Sequence, residues 1–229
     1  MTILNPWGPT VYQNYISEEF KQFLLGGLFR TEKYGRSMRK DLVGQINKQR
    51  EGIFDIDSFK SFIDDHVLNY ELGRVGRLFD LKKFHNSSSS NQTTAKLNEI
   101  LSNQNMVECE YDLLAQPWVN FQKPNEYNPI HEHTGAISAI IFIDIPEEIK
   151  NERDTSQFDH KTNGCLEFLY DCSTSFVVTP ETGMIFIFPN TLKHCVYPYQ
   201  SDVERITMSF NIEENPKIVY NNSKFSLDY

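Results

Sequence analysis

Three histidines and one arginine carry the chemistry this chain can offer. His131-Glu132-His133 sets two imidazoles two residues apart, a lone His194 follows 63 residues after His131, and Arg205 lies 11 residues beyond His194. In an extended strand, residues i and i+2 point to the same side, so His131 and His133 can grip one metal ion, and a histidine from a distant strand can close the site. Glu132 points away from that pair. Three ligands leave coordination positions open, so the spacing predicts a mononuclear metal centre that can take up further molecules.

The elements that would hold these residues begin near residue 105. From there the chain breaks into short runs rich in Val, Ile, Phe, Tyr and Thr, separated by Pro, Gly and Asn. Such texture predicts strands over 106–114, 118–123, 130–133, 137–145, 165–170, 176–178, 184–188, 195–197 and 205–212. Many short strands with tight connections imply a sandwich or barrel, not alternating βαβ units. In the last of them Arg205, Thr207, Ser209 and Asn211 share one face, and Ile206, Met208, Phe210 and Ile212 share the other. Taken alone, the polar row reads as a solvated sheet face. Next to His194, it reads as the lining of a barrel, where Arg205 offers a bidentate clamp for a carboxylate.

Residues 1–104 read as a helical elaboration. Ser17 is an N-cap followed by Glu18 and Glu19, with Phe20, Phe23, Leu24 and Leu28 at helical spacing and Gly26-Gly27 as a weak point. A second helix is expected on Met38, Leu42, Val43 and Ile46, and a third after Asp57 on Phe59, Phe62, Ile63, Val67 and Leu68. The tract 85–94 has nothing to fold around and marks a mobile loop. The barrel core is expected over 105–229, and the charged stretch 147–163 as an excursion over the sheet edge or a lid.

The ordered motifs resemble a known family. Trp118-Val-Asn120, Asn128-Pro-Ile-His131-Glu-His133, Gly183-Met-Ile-Phe-Ile-Phe-Pro189, His194-Cys-Val-Tyr-Pro198 and Glu204-Arg205-Ile-Thr-Met-Ser-Phe-Asn211 look like the prolyl-hydroxylase-like Fe(II)/2-oxoglutarate oxygenases of bacteria and their phages, over about residues 105–215. The resemblance implies a double-stranded β-helix, a jelly-roll or cupin-like barrel buttressed by helices. It implies Fe(II) held by His131, His133 and His194, 2-oxoglutarate and O2 as co-substrates, the distal carboxylate paired to Arg205, and a hydroxyl, Thr207, beside that arginine. Asn120 and Tyr127 are further candidates for the co-substrate site. The implied reaction is hydroxylation of a C–H bond in an amino acid, peptidyl or other small substrate.

One position departs from the family pattern. The usual facial triad is two histidines and a carboxylate, and here His133 stands at the carboxylate position. A three-histidine cupin-type iron dioxygenase that does not use 2-oxoglutarate therefore stays open, as does a non-catalytic β-barrel for binding or assembly. His66, beside Asp64 and Asp65, reads as part of a solvated helix face, and His85 and His160 as loop residues. Glu167 reads as a surface carboxylate, and Cys195 as a residue facing away from His194.

Composition narrows the partners. A net charge of -9 and a pI near 5.2 argue against nucleic acid or an anionic membrane as a partner. No run approaches the ~20 apolar residues of a spanning helix, and Met1–Tyr15 lacks the pattern of a secretory signal. Cys109, Cys165, Cys172 and Cys195 form no CxxC pair and read as buried thiols. The expectation is a cytoplasmic enzyme, in the host cytoplasm if of phage origin, acting on a small or peptidyl substrate, with the oligomeric state left open and a homodimer one option.

Overall fold

The structure, a computed structural model, describes residues 2–4, 8–75, 108–157, 159, 161–171 and 173–217. The tract 85–94, His85, His160 and Cys172 lie outside these residues. The chain opens with strands β1 (Thr2–Leu4) and β2 (Val11–Tyr15), helix α1 (Glu18–Tyr34), strand β3 (Lys48–Glu51) and helix α2 (Ile56–Val75). Strands β4 (Glu108–Leu113), β5 (Trp118–Gln122), β6 (Asn128–His131) and β7 (Ile137–Asp144) follow, then helix α3 (Glu147–Thr155). The remainder is β8 (Leu166–Leu169), β9 (Ser175–Val178), β10 (Met184–Pro189), β11 (Lys193–Val196) and β12 (Arg205–Lys217).

Among the described residues, two antiparallel sheets result. The larger runs β1-β2-β10-β7-β12-β5-β3, with β4 on the far half of β12, and the smaller runs β6-β11-β8-β9. From β5 onward the chain crosses between sheets: β5, β7, β10 and β12 lie in the larger, β6, β8, β9 and β11 in the smaller. That alternation is the double-stranded β-helix. A strand forms at each of the nine expected places, with residues 106 and 107 outside the described part, β6 shifted back by two residues so that His133 lies beyond its end, and β12 running on to Lys217.

Two apolar clusters hold the layers together. Outside the larger sheet, Met208, Phe210 and Ile212 of β12 pack with Phe20 and Leu24 of α1 and Phe59 and Ile63 of α2, and Phe59 meets Phe210 edge-on at 5.2 Å. Inside the barrel, Phe142, Phe168, Phe186 and Phe188 fill the half nearest β8 and β10. Each buried aromatic contributes roughly 2–3 kcal/mol from removal of apolar surface. The half nearest β5 and β12 is polar. Arg205, Thr207 and Ser209 are buried there, so the polar row of β12 lines the interior and does not face water.

The N-terminal part differs from a purely helical reading. Ser17 caps α1 by accepting from the Phe20 amide at 3.1 Å, and the helix runs through Gly26-Gly27 without a break. Gly27 is required by close packing, because a Cβ there would lie 2.2 Å from the Phe54 ring. The helix expected on Met38 to Ile46 does not form. After one turn at Met38–Leu42, the backbone is claimed by neighbours: the Met38 amide donates to Gln49 and the Gln45 amide to Tyr127. Strands β2 and β3 instead extend the larger sheet, pairing with β10 and β5.

The stretch after β7 is no loose lid. Helix α3 buries Ile149 and Arg153, and the Glu152 carboxylate accepts from the Gln200 and Ser201 amides and the Ser201 hydroxyl. Those bonds pin it to the segment before β12.

Candidate metal centre

β6 and β11 are neighbours in the smaller sheet, and His131 stands opposite His194 in their register. That pairing brings together residues 63 apart in sequence. His133 lies two residues past His131 and just beyond the end of β6. Its amide donates to the Asn190 carbonyl at 3.0 Å, and the Asn190 side chain donates back to the His133 carbonyl at 3.1 Å. The turn after β10 thus holds His133 in place after the strand has ended.

The three imidazoles form a group whose ligand atoms all lie within 4.8 Å of one another. His131 Nδ1 sits 2.7 Å from the Pro129 carbonyl and His194 Nδ1 2.9 Å from the Leu192 carbonyl. A carbonyl only accepts, so both Nδ1 atoms carry the proton and both Nε2 atoms keep a free lone pair. His133 Nε2 lies 3.2 Å from His194 Nε2, and the Trp118 ring packs 6.0 Å from His133.

Burial keeps the trio neutral. Loss of hydration lowers His131 below the ordinary imidazole range. Desolvation, with the neighbouring imidazoles adding to it, takes His133 down to about 4 and His194 to about 3. Neutral imidazoles are the protonation state a divalent metal needs, and at His131 and His194 the Nδ1 atoms are also tied back. The donor set fits a borderline metal such as Fe(II) through three nitrogens. Glu132 is exposed at the mouth and stands outside the group.

A cavity of about 290 Å³ opens onto the histidines, walled on one side by Trp118, Ser209 and Asn211 and on the other by the Met38–Gly44 segment. Farther down the same strand face lies Arg205, 1% exposed. Its Nη1 donates to the Gly164 carbonyl at 2.6 Å and its Nη2 to Gln122 Oε1, while its Nε has no partner. Among the described residues no carboxylate pairs with it, and burial draws its pKa down to about 10.

The other expected residues divide. Asn120 and Thr207 are buried together, Asn120 Nδ2 donating to Thr207 Oγ1 at 3.2 Å. Tyr127 is 42% exposed and is not part of the cavity wall. Glu167 bonds Tyr197 and lies 3.8 Å from Cys195 Sγ on the opposite face of the smaller sheet. His66 is a half-buried helix residue bonded to the Tyr12 hydroxyl at 2.8 Å. Gln49 of β3 is a cavity residue that sequence reasoning misses, since Lys48-Gln-Arg-Glu51 carries no strand signal.

Residues 116–211 match the family model described as "Putative 2OG-Fe(II) oxygenase". No curated protein matches the chain. Among solved structures, a 2OG-Fe(II) oxygenase family oxidoreductase from Burkholderia pseudomallei is 14% identical with a TM-score of 0.36, over 55% of this chain and 53% of that one. The chain thus matches about half of that protein's length. A prolyl-4-hydroxylase from Pseudomonas putida is 13% identical with a TM-score of 0.48, over 88% of this chain and 91% of that one. A Trichoplax adhaerens prolyl hydroxylase, in complex with a hypoxia inducible factor peptide fragment, is 10% identical with a TM-score of 0.45, over 87% and 80%.

Proposed function

From the 2OG-Fe(II) oxygenase core that residues 116–211 match, we propose that this chain is an Fe(II)- and 2-oxoglutarate-dependent dioxygenase that hydroxylates a C–H bond of an amino acid, peptidyl or other small substrate. One observation carries the reading. Arg205 is a fully buried guanidinium without a carboxylate partner among the described residues, in the same barrel as three converging imidazoles. A buried charge without a counterion costs several kcal/mol, and a carboxylate-bearing co-substrate supplies that counterion.

His131, His133 and His194 would hold the metal, the bonds at Nδ1 leaving the Nε2 lone pairs of His131 and His194 free, and His133 Nε2 lying 3.2 Å from that of His194. Fe(II), together with 2-oxoglutarate and dioxygen, supplies the oxidant for C–H hydroxylation. The protein's own residues bind and orient. Arg205 holds the distal carboxylate, with Thr207 offering its hydroxyl from the next inward position of β12. Phe188 and Ile140 give the cavity an apolar wall, and Trp118 covers His133, which together limit water at the reacting centre.

The purified protein is expected to bind 2-oxoglutarate only with metal present, giving the weak visible charge-transfer absorbance of that complex under anaerobic conditions. The all-imidazole donor set favours one second reading, a three-histidine dioxygenase that oxidises its substrate directly. Metal binding with no affinity for 2-oxoglutarate would remove the first reading and favour the second.

A further inference from the structure

A polar relay runs from Thr207 of β12 through Asn120 of β5 to Gln49 of β3, which lines the cavity. Gln49 Nε2 donates to Asn120 Oδ1 at 2.9 Å, and Asn120 Nδ2 donates to Thr207 Oγ1 at 3.2 Å. All three side chains are at most 3% exposed. Gln49 also lines the cavity that holds the histidines, and its Oε1 is buried there without a partner. Close by, Asn128 Oδ1 is a second buried acceptor without a partner. Gly44 makes room for both amides, since a Cβ there would lie 2.1 Å from Asn128 Oδ1 and 2.8 Å from Gln49 Nε2.

Two carboxamides and a hydroxyl in a row have two self-consistent directions, because each carboxamide can turn and the hydroxyl both gives and takes. A ligand at either end selects one. A carboxylate beside Thr207 accepts only, so Thr207 must donate to it and must itself accept from Asn120. Asn120 then accepts from Gln49, and Gln49 is left with its carbonyl oxygen toward the cavity. Leaving such an acceptor buried and unmade costs ~1–3 kcal/mol.

We propose that Gln49 is a specificity-determining residue that reads an N–H donor of the substrate, with its polarity set through Asn120 and Thr207 by the co-substrate carboxylate. This inference rests on the 2-oxoglutarate reading of the site. It assigns the substrate to compounds that carry an amide or amine N–H near the reacting carbon. Asn128 Oδ1 supplies a second acceptor for the same ligand. β3 lies outside the segment that matches the oxygenase family, so this recognition belongs to the chain's own N-terminal part.

The test uses the full chain loaded with Zn(II), a redox-silent metal, and a pair of fragments alike in shape, N-methylacetamide and methyl acetate. Affinities are read by ligand-observed NMR with and without saturating 2-oxoglutarate. The amide is expected to bind about fivefold tighter than the ester, the value of one neutral hydrogen bond, and only when 2-oxoglutarate is present. Gln49→Met should erase the preference. Gln49→Glu keeps an acceptor in the cavity but cannot donate to Asn120, so it should keep the preference while weakening 2-oxoglutarate, a split that a merely structural role would not produce. Thermal melts verify that both variants are folded, and if either is not, Asn120→Asp tests the same link by removing the donor to Thr207. Equal affinity for the two fragments, binding of neither, or a preference that survives Gln49→Met overturns the proposal. Absence of 2-oxoglutarate binding to the unmutated protein would instead overturn the reading on which it rests.

Discussion

His133 Nε2 lies 3.2 Å from His194 Nε2, a separation that two neutral imidazoles reach only if at most one carries a proton on that nitrogen. His194 has its proton on Nδ1, toward Leu192. The contact is the geometry that two metal ligands closing on one point would have. It is also the place where a carboxylate would stand in the usual triad.

Replacing ligands should therefore have unequal effects. His131→Ala and His194→Ala remove imidazoles on paired strands and should weaken metal binding by on the order of a hundredfold or more. His133→Asp puts a carboxylate in its usual place and should retain the metal within about tenfold of the parent. Calorimetric titration with Fe(II) or Mn(II) under argon measures both.

Arg205 gives a prediction that differs between two states. Arg205→Met keeps much of the volume and removes a buried charge without a counterion, while leaving the Gly164 carbonyl and Gln122 Oε1 without their donor, so the two effects offset and the protein without ligand should melt close to the parent. The thermal shift that 2-oxoglutarate produces in the parent should vanish. A variant that melts lower yet keeps the shift would mean that the guanidinium is a structural brace.

The pH dependence follows from the depressed imidazoles. His131, His133 and His194 all have folded pKa values below the unfolded value, so the folded state binds fewer protons and protonation favours unfolding. For the metal-free protein, stability from these groups is complete above about pH 6.5. It should fall as pH drops toward the values of about 4 and about 3 held by His133 and His194. Urea melts at successive pH values check this, and His133→Gln should flatten the slope.

Gly27→Ala sets helix propensity against packing. Alanine is preferred over glycine inside a helix by ~1 kcal/mol, but the new methyl would sit 2.2 Å from the Phe54 ring. Overpacking of that kind costs about 1–3 kcal/mol, so the net effect should be a loss of stability. Urea denaturation gives the sign directly.

Much of the site was legible in the sequence because its residues lie on strands with clear alternation. Arg205 and Thr207 share a face by period two, and that parity holds wherever β12 is placed. The same rule put Cys195 opposite His194. The side of β12 that meets water is not set by parity, and only the packing of α1 and α2 on Met208 and Phe210 turns the arginine row inward. Local pattern failed at Met38–Ile46, where apolar residues at helical spacing are held in an irregular course by bonds to Gln49 and Tyr127.

The sequence by itself determined which imidazoles are available as ligands, the succession of strands along the chain and that position 133 carries a histidine, since these depend on residue identity and local period. Tertiary structure alone decided that β6 pairs with β11 so that His131 faces His194, and that Gln49 reaches the barrel by pairing β3 with β5. Those contacts join residues far apart in the chain, and no local preference encodes them. They arise only when two sheets close over a shared core.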